Sequence, residues 1–156
     1  MKMIKLTKVL GLITLISLNA FALFVGTLIT TKLLKITSIN KIIFLGLLMI
    51  LIGSLCMEFI SSISNIFPEK IFIITTFIVT LGSAMVIPMA NSCALNSASD
   101  LFGNAVALSS FARYSISAIF GGFIAYFEIQ SIFSIAIIFF LASILGMYYM
   151  KKVWKY

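Results

Sequence analysis

The sequence contains no histidine, and only 10% of its 156 residues are charged. The lack of an imidazole excludes a histidine base for intramembrane serine proteolysis and histidine ligands for a metal ion. The four acidic residues are scattered, so they form no metal-binding cluster. Asp100 is the single aspartate, whereas intramembrane aspartyl proteolysis needs two. We therefore predict that the chain is not an enzyme, binds no metal and uses no cofactor.

Cysteine is also scarce. Cys56 and Cys93 are the two cysteines, and both lie inside apolar stretches without Cys-x-x-Cys spacing. Free, buried thiols are the expected state of both residues, because neither a redox motif nor a zinc motif surrounds them.

Hydrophobic residues, in contrast, make up 62% of the chain. Soluble domains are about half apolar and a quarter charged, so this chain is expected to lie in a lipid bilayer. The net charge is +7, and the lysines stand at the ends of apolar runs. Basic residues at such positions contact the anionic face of a membrane. We therefore predict no nucleic-acid partner.

Five long apolar segments are separated by polar breaks. A hydrocarbon core of about 30 Å is crossed by roughly 20 helical residues, and all five segments reach that length. Backbone groups in lipid must be paired within the segment, which indicates helices, and barrel strands would be half as long. The sequence predicts an all-α integral membrane protein, residues 1–156 forming one membrane domain, with spans at about 9–30, 42–61, 71–95, 105–127 and 132–150.

The first segment has an alternative interpretation. A basic start, an apolar run and Ala20-Phe21-Ala22 resemble a signal peptide with its cleavage site. The apolar run continues past Ala22 to Ile29, where a mature protein normally becomes polar. A first membrane span is therefore favoured over a cleaved signal.

Lysine placement predicts the orientation of the chain. Five spans put Lys2, Lys5, Lys8 and Lys70 on one side of the membrane; the other side holds Lys32, Lys35, Lys41, Lys151, Lys152 and Lys155. Because cytoplasmic loops carry the excess of basic residues, a cytoplasmic C-terminus is predicted.

The third span contains a proline and a small-residue ridge. Met85, Pro88 and Asn91 recur at three-residue spacing and so share one face, which makes them candidates for lining a substrate cavity. A kinked helix with a purely structural role is the alternative. Close helix packing in lipid requires small side chains, and the ridge predicted to provide it is Ala90, Ala94 and Ala98.

A short polar gap, "NSASDLFGN", follows this span. Ser97, Ser99 or Asp100 has a side-chain oxygen that can cap the next helix, and Gly103 permits a sharp turn. The gap is predicted to be a cytoplasmic loop, either a simple helical hairpin or part of a gate.

Three polar residues are predicted to lie within the spans. Arg113 lies near the middle of the fourth span, where it needs a partner such as a substrate or a carboxylate. The structural alternative is that it pairs with Tyr114, Tyr126 or backbone carbonyls, or snorkels to the membrane surface. Glu58 is expected near the far membrane surface, and Asn19 is expected to hydrogen-bond between helices.

The stretch "GSAMVIPMANSCALNSASDLFGNAVALSSFARYSISAIFGGFIA" resembles the tenth and eleventh helices of major facilitator drug exporters of the bicyclomycin-resistance (Bcr/CflA) type. The matching residues are Gly82, Pro88, Asn91, Ala94, Leu95, Gly103, Ala105, Ala107, Leu108, Gly121 and Gly122. The resemblance implies that the five spans are helices eight to twelve of that fold. It also implies efflux of an amphipathic small molecule by proton antiport across the cell inner membrane, and packing at Gly121 and Gly122.

The chain departs from that family in two ways. "GTLITTKLLKITSINK" lacks the aspartate, the arginines and the second glycine of the usual loop after the eighth helix. The N-terminal half and the seventh helix have no counterpart, although transport in this family rocks two halves against each other. A truncated or split exporter with a separate N-terminal half is expected; the alternative is a small structural or partner-binding multi-pass protein without transport activity.

Overall fold

Residues 2–63, 68–96, 102–126 and 132–153 are described by the computed structural model. They form five helices, and none of the described residues lies in a strand. The helices are α1 (Lys2–Leu33), α2 (Ile39–Ile63), α3 (Pro68–Asn96), α4 (Phe102–Tyr126) and α5 (Ile132–Val153). The predicted all-α architecture is confirmed.

Four of the described helices are long and apolar enough to cross a membrane. The candidate spans are Ile13–Leu33, Ile39–Phe59, Phe72–Cys93 and Ser134–Lys152. By the length and composition of these helices, the chain is a multi-pass membrane protein. Helix α4, predicted as the fourth span, has 25 residues but does not reach the same apolar character, because it contains Arg113, Asn104 and several serines.

Helix α3 is the centre of the bundle. It packs against α1 on one side and α2 on the other, and α2 in turn packs against α5. Helix α4 makes only a slight contact with α3. The buried apolar cluster consists of Ile42, Met85 and Met89, so the core lies where α2 and α3 meet.

Glycines bring α2 and α3 into close backbone contact. A Cβ atom added at Gly82 would lie 2.7 Å from the carbonyl oxygen of Gly46 and 2.9 Å from Cγ1 of Ile50. A Cβ atom at Gly53 would lie 2.8 Å from Cγ2 of Val79. The later glycine of α2 thus meets the earlier part of α3, so the two helices run antiparallel. Small residues at such crossings allow the close approach that packing in lipid needs.

Helix α5 packs against α2. Gly146 lies in the second half of α5, and a Cβ atom there would be 2.9 Å from Cδ2 of Leu47, which lies in the first half of α2. Ala136, near the start of α5, is fully buried. The later part of α5 therefore contacts the earlier part of α2.

Four hydroxyl side chains are buried in the bundle: Thr30, Ser54, Thr75 and Ser143. Each donates a hydrogen bond to a carbonyl three or four residues earlier in its own helix, at 2.8 to 3.2 Å. These hydroxyls are therefore satisfied without water, which the hydrocarbon core does not provide.

Asn19 links α1 to α3. The Thr80 hydroxyl donates to Oδ1 of Asn19 at 2.7 Å, and Nδ2 of Asn19 donates to the carbonyl oxygen of Leu15 at 3.1 Å. The predicted interhelical hydrogen bond of Asn19 is thus confirmed. A Cβ atom at Gly26, further along α1, would meet Ala84, further along α3, so these two helices run parallel.

We expect this hydrogen bond to contribute about as much to stability as the average interhelical hydrogen bond in a membrane protein. Asn19→Leu and Thr80→Val, alone and combined, should give a coupling free energy of about 0.6 kcal/mol. Reversible unfolding of the four proteins in detergent micelles measures it. Strictly additive effects of the two substitutions would contradict an interhelical bond.

Candidate functional site

The three residues of α3 that are predicted to line a substrate cavity differ in how deeply they are buried. Met85 has no exposed surface and packs with Ile42 and Met89. Pro88 and Asn91 are half-buried, and α3 continues as a helix through Pro88. Since Pro88 has no N–H, the carbonyl of Ala84 loses its usual helical donor. Pro88 and Asn91 therefore keep some access to the outside of the bundle, whereas Met85 belongs to its interior.

The predicted packing residues do not meet another helix where their surroundings are described. Ala90 is exposed, and Cβ atoms added at Gly121 or Gly122 would find no heavy atom within 4 Å. The side-chain surroundings of Ala94 are not described, and Ala98 lies outside the described residues. These five positions stay predictions of packing.

The close contacts of the bundle use other glycines: Gly26, Gly46, Gly53, Gly82 and Gly146. None of these five glycines was predicted from the sequence to pack against another helix. The signal present in the sequence is the seven-residue spacing of Gly46 and Gly53, which places both on the same side of α2.

The structure describes one of the two residues that are predicted to act in the cytoplasmic loop or gate. Asp100 lies outside the described residues, and Gly103 follows the first residue of α4. A Cβ atom at Gly103 would meet nothing within 4 Å. The roles of Asp100 and Gly103 in a gate stay predictions.

A polar stripe runs along α4. Ser109, Arg113 and Ser117 follow at four-residue spacing and so lie on one face of the helix. Arg113 and Ser117 are exposed, and Ser109 is half-buried. We call these three residues the arginine face of α4.

Tyr114 is the aromatic neighbour of Arg113. Cζ of Arg113 lies 5.6 Å from the centroid of the Tyr114 ring, within the range of a cation–π contact. No carboxylate among the described residues forms an ion pair with Arg113. The structural alternative with Tyr114 is therefore observed, and no described carboxylate offsets the positive charge of Arg113. Asp100 and Glu128 lie outside the described residues.

The rest of α4 is mostly apolar and exposed. Its exposed large side chains are Val106, Leu108, Phe111, Tyr114, Ile116, Ile119, Phe120, Phe123 and Tyr126. Leu108, Phe111 and Ile119 each expose more than two thirds of their surface. Helix α4 therefore presents both a polar and an apolar surface that the described helices leave uncovered.

Glu58 lies one residue before the end of the candidate span Ile39–Phe59. Its predicted place near the far membrane surface agrees with that position. Glu58 lines an open groove together with Leu55, Cys56 and Phe59. Cys56 and Cys93 form no disulfide, and both are half-buried rather than buried as expected.

No group of three or more cysteine, histidine, aspartate or glutamate residues that suits a metal ion occurs in the described part of the chain. No protein-family model, curated protein or solved structure matches this sequence. The resemblance of residues 82–125 to drug exporters therefore stays a prediction.

Proposed function

We propose that the chain is the C-terminal part of a two-part membrane transporter, which exports amphipathic small molecules in exchange for protons. The observation that carries the proposal is the arginine face of α4, which is exposed on a helix that makes only a slight contact with the proline-containing helix α3. Ionisable residues within membrane helices face protein or a water-filled cavity and mark substrate or ion pathways.

The order of residues in α3 and α4 supports the same proposal. Pro88 and Asn91 precede the polar gap by a few residues, and Gly103 opens the next helix. In the exporters that the stretch resembles, this order belongs to two neighbouring helices of the C-terminal half. The exposed surface of α4 is what one part of a larger assembly would leave uncovered.

Charge supports a location in the cell inner membrane with a cytoplasmic C-terminus. Lys32 and Lys41 flank the turn between α1 and α2, and Lys151 and Lys152 end α5. In the proposed five-span topology these exposed lysines lie at the same end of the bundle. The positive-inside rule assigns that end to the cytoplasm.

The test is an efflux assay with ethidium in cells that lack their own exporters. The chain is expressed alone and together with the seven N-terminal helices of a bicyclomycin-type exporter. We expect no efflux from the chain alone, because alternating access needs two halves. The pair should lower ethidium accumulation until the proton gradient is collapsed.

Arg113→Leu in the pair should abolish this efflux, and Ile119→Leu should leave it unchanged. Efflux by the chain alone would contradict the two-part assembly. Absence of efflux from a pair that co-purifies would contradict transport.

A partner-binding membrane protein without transport activity is the second candidate function. The uncovered surface of α4 favours it equally, because such a surface suits a binding partner as well as a transporter half. Co-purification without efflux supports this candidate.

A further inference from the structure

The path of the chain determines where α4 lies. Helices α2 and α3 are antiparallel, so α3 ends at the side of the bundle where α2 starts. The later part of α5 contacts the earlier part of α2. With five spans, as the sequence predicts, α5 starts at the opposite side, so the chain between Asn96 and Ile132 passes from one side of the bundle to the other.

On this path helix α4 makes the passage, although Arg113 and its other polar residues leave it less apolar than the four candidate spans. Its 25 residues extend about 37 Å, enough for a hydrocarbon core of about 30 Å. Arg113 stands at the middle of the helix, so this path puts it about 15 Å from either lipid headgroup region. At that depth, the guanidinium reaches a lipid phosphate only by snorkelling with local thinning of the bilayer, which costs free energy.

From this placement we propose that the arginine face of α4 docks a membrane-spanning helix of another polypeptide, and that this helix carries a carboxylate at the depth of Arg113. Charge complementarity is the reason. A guanidinium in low-dielectric surroundings is stabilised by a bidentate carboxylate far more than by an aromatic ring. Ser109 and Ser117 flank Arg113 on the same face and add hydroxyl donors for the same carboxylate or its backbone.

The described residues of a second copy do not provide this carboxylate. Glu58 lies near the end of α2, and Glu69 lies in the first turn of α3. Both are therefore near a membrane surface rather than at mid-depth. The described acids thus favour a different polypeptide over a homodimer.

The docking inference is independent of transport. It applies to a transporter half and to a protein that only binds a partner, because it concerns the contact and not the movement of a substrate. Failure of the efflux assay would leave it standing, and its own test is separate.

That test uses the full-length chain in phosphatidylcholine vesicles and a synthetic leucine–alanine transmembrane peptide with one central glutamate. Matched peptides carry glutamine or leucine at the same position. Energy transfer between a dye on the chain and a dye on the peptide measures association. We expect the glutamate peptide to bind at least about tenfold more tightly than either control at neutral pH.

Variants of the chain complete the test. Arg113→Leu should reduce the affinity for the glutamate peptide to that of the controls, Arg113→Lys should retain part of it, and Ile119→Leu should retain all of it. Equal affinity for the three peptides would overturn the proposal, and this comparison needs no substitution in the chain.

A separate experiment tests whether α4 crosses the membrane. It uses a chain from which Cys56 and Cys93 have been removed and which carries either Gly103→Cys or Tyr126→Cys. The two positions should react with a membrane-impermeant maleimide from opposite sides of sealed vesicles. Labelling of both from the same side would overturn the placement of Arg113 at mid-depth.

Discussion

Gly82→Ala will destabilise the folded bundle by about 1 to 3 kcal/mol, the usual cost of overpacking a close contact. The added methyl group would lie 2.7 Å from the carbonyl oxygen of Gly46 and 3.1 Å from the backbone nitrogen of Ile50. Both are backbone atoms, which cannot rotate away as a side chain does. Helices α2 and α3 must therefore separate, which loosens the core formed by Ile42 and Met85.

Gly122→Ala is the matched control. It makes the same chemical change in a helix interior, yet its Cβ atom would meet nothing within 4 Å. Alanine is also the better helix former, by about 1 kcal/mol in water. We expect no loss of stability from Gly122→Ala when unfolding by sodium dodecyl sulfate titration is measured by circular dichroism.

Gly46→Ala tests the same contact from the side of α2, because its Cβ atom would lie 2.9 Å from the carbonyl oxygen of Gly82. Both substitutions push the same two helices apart, so the double variant should lose less than the sum of the single losses. Additive losses, or equal stability of Gly82→Ala and Gly122→Ala, would contradict the close helix contact.

Arg113→Leu will increase the membrane insertion of an isolated α4 segment by about 3 kcal/mol, which is more than a hundredfold in the insertion equilibrium. Arginine at the centre of a span costs about 2.5 to 3.5 kcal/mol on insertion scales, and leucine is mildly favourable. The test places residues 102–126 in a host membrane protein, with glycosylation sites on both sides of the segment.

Ile119→Leu is the control, because it exchanges one apolar side chain for another in the same helix. Its insertion should equal that of the natural segment. If Arg113→Leu also left insertion unchanged, the arginine would lie outside the hydrocarbon core, and the argument for a carboxylate partner would fail.

The sequence predicted helices because each apolar segment had the length of a span and lacked strand alternation. Their ends were less predictable. The predicted span 71–95 became α3, Pro68–Asn96, because a helix continues past the hydrocarbon core into the polar headgroup region. The first span shows the same effect more strongly, since α1 includes the basic start of the chain.

Helix partners could not be read from the sequence. The spans are apolar on all sides, so no hydrophobic stripe marks the face that packs against a neighbour. Gly121 and Gly122 appeared suited to packing, but the space beside them is open, whereas Gly26 and Gly146 form close contacts. Which small residue meets another helix depends on the path of the whole chain.

The candidate site was partly predictable. Arg113 stands out because a charge inside an apolar segment is costly, and Asn19 stands out for a similar reason. Thr80 as the partner of Asn19 was not predictable, because threonines are frequent in these spans and several bond to a carbonyl of their own helix, as Thr30 does.

The bond between Asn19 and Thr80 also fixes the rotational setting of α1. A shift of one residue around the helix turns each side chain by about 100° and would point the Asn19 amide at hydrocarbon tails. The same rotation would turn Gly26, which lies against Ala84, away from α3. The Asn19 amide and the close contact at Gly26 therefore select the same rotational angle of α1.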